Sequence, residues 1–128
     1  MDDEKDEIVG KFFDDLTRTK KINREKRKLN SIIKQLDEDT KKICGPLIDN
    51  IAFAIVQLEE LRELIKRDGY YETYFNGENQ KGLKKSIAAD LQIQVGKNYS
   101  MFLKQLREIL PPGTAGGDEL DKWKAQNK

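Results

Sequence analysis

Gly77 and Gly82, followed closely by Lys84, Lys85 and Ser86, come near the spacing of a phosphate-binding loop. Such a loop wraps backbone N–H groups around an anion and sends a lysine ammonium to the β/γ-phosphates of a nucleotide. The lysine has to follow the second glycine directly, and Leu83 stands there instead. Nothing in the chain supplies the parallel strands that brace such a loop. Residues 77–82 therefore read as a turn leading into a helix cap. Lys81, Lys84 and Lys85 then have two readings, a phosphate track in an assembly or a charged guard on a strand edge.

The other concentration of positive charge lies in residues 18–28. Seven bases, Arg18, Lys20, Lys21, Arg24, Lys26, Arg27 and Lys28, stand there against the single acid Glu25. Clustered lysine and arginine are what phosphate contacts require. On a helix, Lys20, Arg24, Arg27 and Lys28 fall near one face. A solvated connector accounts for the same block, and both readings stay open. The net charge is only +1, so the case for nucleic acid rests on how charge is distributed. Residues 1–15 show the opposite bias, with seven acids against two lysines.

Catalytic chemistry finds little to work with. The chain has no histidine and one cysteine, Cys44. That excludes an ordinary Cys/His zinc site, a Ser–His or Cys–His nucleophile and an internal disulfide. Carboxylates are plentiful but interleaved with bases, as in Glu59, Glu60, Arg62, Glu63 and Lys66, which is the pattern of a solvated helix face. The reading is of a protein that is not an enzyme and takes no cofactor and no metal. The acidic N-terminus does not look like a signal peptide. The longest apolar run, Ile51–Val56, is six residues, where a membrane span needs about 20. A soluble intracellular protein with no membrane partner is expected.

The elements that would position these residues are helical. Ile8, Phe12 and Leu16 predict a short amphipathic helix over 5–17, with a turn near Thr17–Thr19. Leu29, Ile32, Ile33, Leu36 and Ile43 mark the stripe of a second helix, ending near Gly45-Pro46. Leu47, Ile51, Ile55, Leu58, Leu61 and Ile65 give a third over 46–68, stopped by Gly69. Its first half is apolar on a second side through Ile48, Ala52, Phe53 and Val56, so it needs more than one partner. Asn76-Gly77 signals a hairpin turn. A fourth helix runs from the N-cap Ser86 to Leu110 on the stripe Ile87, Leu91, Val95, Tyr99, Phe102, Leu106 and Ile109. Tyr70, Tyr71, Tyr74 and Phe75 are expected to pack the hairpin onto the helices. The tail 113–128 reads as disordered apart from Trp123, which either anchors a partner or docks on its own domain.

The fold class is therefore mainly α. It is a helical hairpin or bundle of long helices, with a short β-hairpin or extended loop near residues 70–84, and is oligomeric. Three regions follow: N-terminal helices with the basic segment (1–45), a helical-hairpin oligomerisation core (46–112) and the tail (113–128).

From Leu47 to Pro112, about half of the chain, the sequence resembles the small terminase subunits of tailed phages that infect Gram-positive bacteria. The resemblance rests on PLIDNIAFAIVQLEELRELI, YFNGENQKGLKKS and KNYSMFLKQLREILPPG. It implies a homo-oligomer, in ring form, that recognises double-stranded viral DNA in the host bacterial cytoplasm. It also implies regulation of a large terminase subunit, which carries the ATPase and nuclease. In that picture Ile51, Phe53, Ile55, Leu58, Leu61, Tyr99, Phe102 and Leu106 belong to the packed hairpin and subunit interface. The seven bases of 18–28 would meet DNA, and the tail with Trp123 would be free to meet the large subunit or the portal. Many members of that family place DNA binding in an N-terminal helix-turn-helix, which residues 1–45 do not clearly contain. Two alternatives remain: a small dimeric helical DNA-binding regulator, or a protein-only structural adaptor.

Overall fold

The computed structural model describes residues 14–78 and 80–126. Helix α1 spans Asp15–Ile33 and starts where the Asp14 carboxylate accepts from the Thr17 N–H at 3.1 Å. It is polar along most of its length, burying only Leu29, Ile32 and Ile33 near its end. Residues 17–19, read from sequence as a turn, are part of this unbroken helix. The short helix expected over 5–17 falls mostly outside the described residues.

Helix α2, Glu38–Asp68, begins earlier than expected and runs straight through Gly45-Pro46. The cause is local. Asp37 is the N-cap, its carboxylate accepting from the Thr40 N–H at 2.7 Å and the Thr40 hydroxyl at 3.0 Å, so the helix is nucleated eight residues before Gly45. Pro46 is on the exposed side, where the Lys42 carbonyl that loses its helical donor can turn to water. The helix ends where sequence placed it. Gly69 adopts φ +85°, a conformation costly to residues with a Cβ, and its N–H caps the Ile65 carbonyl at 2.7 Å.

Strands β1 (Tyr71–Phe75) and β2 (Lys81–Lys85) form a two-stranded antiparallel sheet, pairing Tyr71 with Lys85, Thr73 with Leu83 and Phe75 with Lys81. Residues 76–80 connect them, closed by the Asn76 N–H donating to the Gln80 carbonyl at 2.8 Å, with Gly77 at φ +87°. At the base of the hairpin, the Ser86 N–H donates to the Tyr70 carbonyl at 2.8 Å. The next residue opens helix α3, Ile87–Ile109, whose N-cap Ser86 accepts from the Ala89 N–H at 3.1 Å. Pro111 and Pro112 follow its cap and prevent it from continuing.

The tail is not a disordered extension. Residues Ala115–Gln126 form helix α4, which returns onto α1. Leu120 is fully buried and Trp123 is 4% exposed, so the tail contributes two large side chains to the core. The expectation of disorder fails because the few apolar residues of the tail are buried, and Gly116-Gly117 is what lets α4 approach. A Cβ on Gly117 would overlap the Pro111 carbonyl oxygen. Arg107 of α3 locks the junction by donating to the Gly117 carbonyl at 3.3 Å and to the Asp121 carboxylate.

The main core gathers Leu29, Ile32 and Ile33 from α1, Cys44, Ile48 and Ile51 from α2, Leu106 from α3, Leu110 just beyond it, and Leu120 and Trp123 from α4. It therefore draws on both sides of residue 45. A smaller cluster of Ala54, Leu61 and Val95 joins α2 to α3 further along. Of the residues assigned to the packed core, Ile51, Leu61 and Leu106 are buried. Ile55, Leu58, Tyr99 and Phe102 are half-buried, and Phe53 is exposed.

Candidate nucleic-acid interface

The helix α1 positions all seven bases of 18–28, and the fold sorts them into two groups. Arg18 donates to both Glu60 oxygens, at 2.6 and 3.1 Å, and Lys21 reaches Glu59 at 2.9 Å. Lys26 pairs with Asp49 at 3.0 Å, and Lys28 with Glu25 of its own helix at 3.4 Å. These four charges are largely engaged. Three of them bind α1 to α2 along a stretch where α1 has few apolar side chains to bury. Hydrogen bonding from Arg18 to Glu60 raises the guanidinium pKa, outweighing the opposing effect of burial.

The second group is Lys20, Arg24 and Arg27. All three are exposed, and no carboxylate pairs with them among the described residues. Their spacing of four and three puts them on one helical face, where Asn23 and Asn30 join them in lining an open groove of about 550 Å³ that Lys26 also borders. The same spacing continues through exposed Ser31 to exposed Lys34. Lys34 lies outside the basic block and sequence reading missed it, although its position seven residues after Arg27 would have revealed it. The stripe from Lys20 to Lys34 extends about 21 Å along the helix axis at 1.5 Å per residue. A row of exposed basic and hydroxyl donors of this length suits a run of phosphates.

The hairpin lysines are placed differently. Lys84 pairs with Glu72 across the strands at 3.5 Å, and Lys85 pairs with Asp90 at the start of α3 at 3.1 Å. Lys81 alone of the three has no carboxylate partner among the described residues. Gly82 lies within β2 beneath the Tyr74 ring, so residues 77–82 do not form a loop leading directly to a helix N-terminus.

The hairpin aromatics do not pack onto the helices. Tyr71, Phe75 and Leu83 share one face of the sheet, and Phe75 and Leu83 are 76% and 70% exposed. Tyr70, Ile87 and Leu91 are exposed beside them in the chain. The expectation failed because β1 and β2 satisfy one another's backbone bonds and stand away from the bundle. Alternation along each strand placed apolar side chains outward.

Other reactive side chains are not presented to solvent. Burial raises the Cys44 thiol pKa, which disfavours the thiolate. Burial, and secondarily the Glu25 charge, raise the Tyr99 phenol. Trp123, one of the two readings of which was a partner anchor, is docked on its own chain. A cleft of about 690 Å³ between the ends of α1 and α3 and the start of α4 is lined by Ile32, Leu36, Leu110, Thr114, Glu119 and other residues. Among the described residues, no three potential metal ligands converge and no helix is long and apolar enough to cross a membrane. Comparison with family models, curated proteins and solved structures finds no match to this chain.

Proposed function

We propose that this chain is a non-catalytic phage DNA-packaging protein of the small terminase type. It binds double-stranded DNA along the outer face of α1, assembles with further copies and regulates a large subunit that carries the ATPase and nuclease. The observation that carries the DNA part is the sorting of charge on α1. Four bases are held by carboxylates, while Lys20, Arg24 and Arg27, on one face, meet no carboxylate among the described residues. Surface lysines serving only solubility have no reason to align over successive turns. The packaging assignment itself rests on the resemblance across Leu47 to Pro112.

Fluorescence anisotropy with a 24-base-pair duplex tests the reading. Charge reversal of Lys20, Arg24 and Arg27 to Glu should abolish binding, while Lys97→Glu, exposed on α3 and lining a groove that no α1 residue borders, should leave it intact. Affinity should fall steeply with salt, because each phosphate contact releases counterions. An unchanged affinity in the triple variant removes α1 from the interface.

A second reading, the protein-only adaptor, is favoured by the apolar face of the hairpin. Tyr71, Phe75 and Leu83 expose apolar area on a face that Lys81 and Lys85 share, a mixture of aromatic and basic groups that a protein contact accommodates. No duplex affinity at low salt, together with salt-insensitive partner binding, would favour this adaptor.

A further inference from the structure

The hairpin ladder has a definite phase. The Asn76 N–H donates to the Gln80 carbonyl and the Ser86 N–H to the Tyr70 carbonyl, both at 2.8 Å. Opposed pairs in an antiparallel ladder alternate between bonded and non-bonded. Glu72–Lys84 and Tyr74–Gly82 are therefore bonded pairs, and Tyr71–Lys85, Thr73–Leu83 and Phe75–Lys81 are not. The backbone N–H and C=O of Lys81, Leu83 and Lys85 point away from β1. Among the described residues no third strand joins the sheet and no helix packs along it. The side chains of the same three residues are exposed on one face.

We propose that this edge of β2 receives, by strand addition, an extended segment of a partner protein that carries acids two positions either side of an apolar residue. The added strand bonds to the backbone of Lys81, Leu83 and Lys85, and its residues opposite them share their face. Carboxylates then meet Lys81 and Lys85, while the apolar residue lies beside Leu83. Acid–apolar–acid reads alike in both directions, so a parallel or an antiparallel strand fits.

Charge selects this occupant over a second copy of the chain. Two β2 edges paired about Leu83 set lysine against lysine, and like charges directly opposed are unfavourable. The edge of β1 offers Tyr71, Thr73 and Phe75, none of them acidic. Edge lysines guard a strand against self-pairing, and the same charge attracts an acidic strand. Lys85 pairs with Asp90 at 3.1 Å, but both side chains are more than half exposed, so this contact is weak enough to be shared. The inference depends neither on DNA binding nor on self-association.

Amide NMR of the full isotope-labelled chain, titrated with the peptide Thr-Glu-Thr-Val-Thr-Glu-Thr, tests it. In the free protein the Lys81, Leu83 and Lys85 amides should exchange with solvent faster than those of Gly82 and Lys84. The peptide should shift and protect the first three and leave the other two nearly unchanged. Protection of the first three without peptide means an edge already occupied and overturns the inference, as do shifts without alternation.

The permuted peptide Thr-Glu-Glu-Thr-Val-Thr-Thr should bind about tenfold more weakly, and equal binding would overturn the pattern. Lys81→Glu with Lys85→Glu should lose the glutamate peptide and bind Thr-Lys-Thr-Val-Thr-Lys-Thr instead. Leu83→Pro removes an outward N–H without touching a β1–β2 bond, and should abolish the binding that Leu83→Thr retains. Circular dichroism checks that each variant keeps its fold. Equal binding by the two position-83 variants means that no backbone bond forms and overturns strand addition.

Discussion

Arg18 of α1 and Glu60 of α2 meet fork to fork, Nε to Oε1 at 2.6 Å and Nη2 to Oε2 at 3.1 Å, although 42 residues separate them. Lys21–Glu59 lies beside them at 2.9 Å. The two contacts hold the polar half of α1 in place and so determine which bases remain free for a ligand.

Removing that clamp should cost stability. Arg18→Ala is expected to destabilise the fold by about 1 kcal/mol, the upper range for a partly exposed pair with good geometry. A double-mutant cycle with Glu60→Gln, read by urea denaturation, should show the coupling. Additive effects would mean that the clamp contributes nothing.

The α4 junction should be intolerant of side chains. Gly117→Ala forces a Cβ into the Pro111 carbonyl and is expected to destabilise by about 2–4 kcal/mol. Trp123 is the chain's single tryptophan, so its fluorescence reports α4 alone. Emission should shift to the red in the variant even where α1–α3 remain helical by circular dichroism.

Acid should loosen the start of α2. The Thr40 N–H and hydroxyl hold the Asp37 pKa below its ordinary value. A depressed carboxylate stabilises the fold fully above its unfolded pKa, about 3.9, and loses that contribution as pH falls through the lower folded value. Asp37→Ala should therefore melt below wild type at pH 7, with the two melting temperatures converging below about pH 3. A gap independent of pH would show that the charge of the cap is irrelevant.

The outward face of the hairpin should be dispensable for folding and needed for association. Phe75→Ser with Leu83→Ser removes two exposed side chains, and each change should alter monomer stability by no more than about 0.5 kcal/mol. Light scattering should show a multi-subunit wild type and a smaller variant. Equal multi-subunit masses would place the contact between copies elsewhere, and a monomeric wild type would overturn self-association.

What could be read from sequence was what local chemistry decides. Ser86, Gly69 and Pro111-Pro112 bound their helices through groups within four residues, so α3 and the end of α2 were legible without the fold. The hairpin was legible too, from its aromatic run and Asn76-Gly77. The start of α2 was also local, but the Asp37–Thr40 cap lay inside a stripe that appeared continuous from Leu29 to Ile43.

By itself, then, the sequence determined a mainly helical chain with one hairpin and its positive charge gathered in 18–28. Only the tertiary structure decided which of those charges are spent. Arg18, Lys21 and Lys26 meet carboxylates 23 to 42 residues away, and no spacing rule reaches that far. It also decided the fate of the tail. Polar composition suggests disorder when read alone, yet Leu120 and Trp123 are buried in a core they share with α1, α2 and α3.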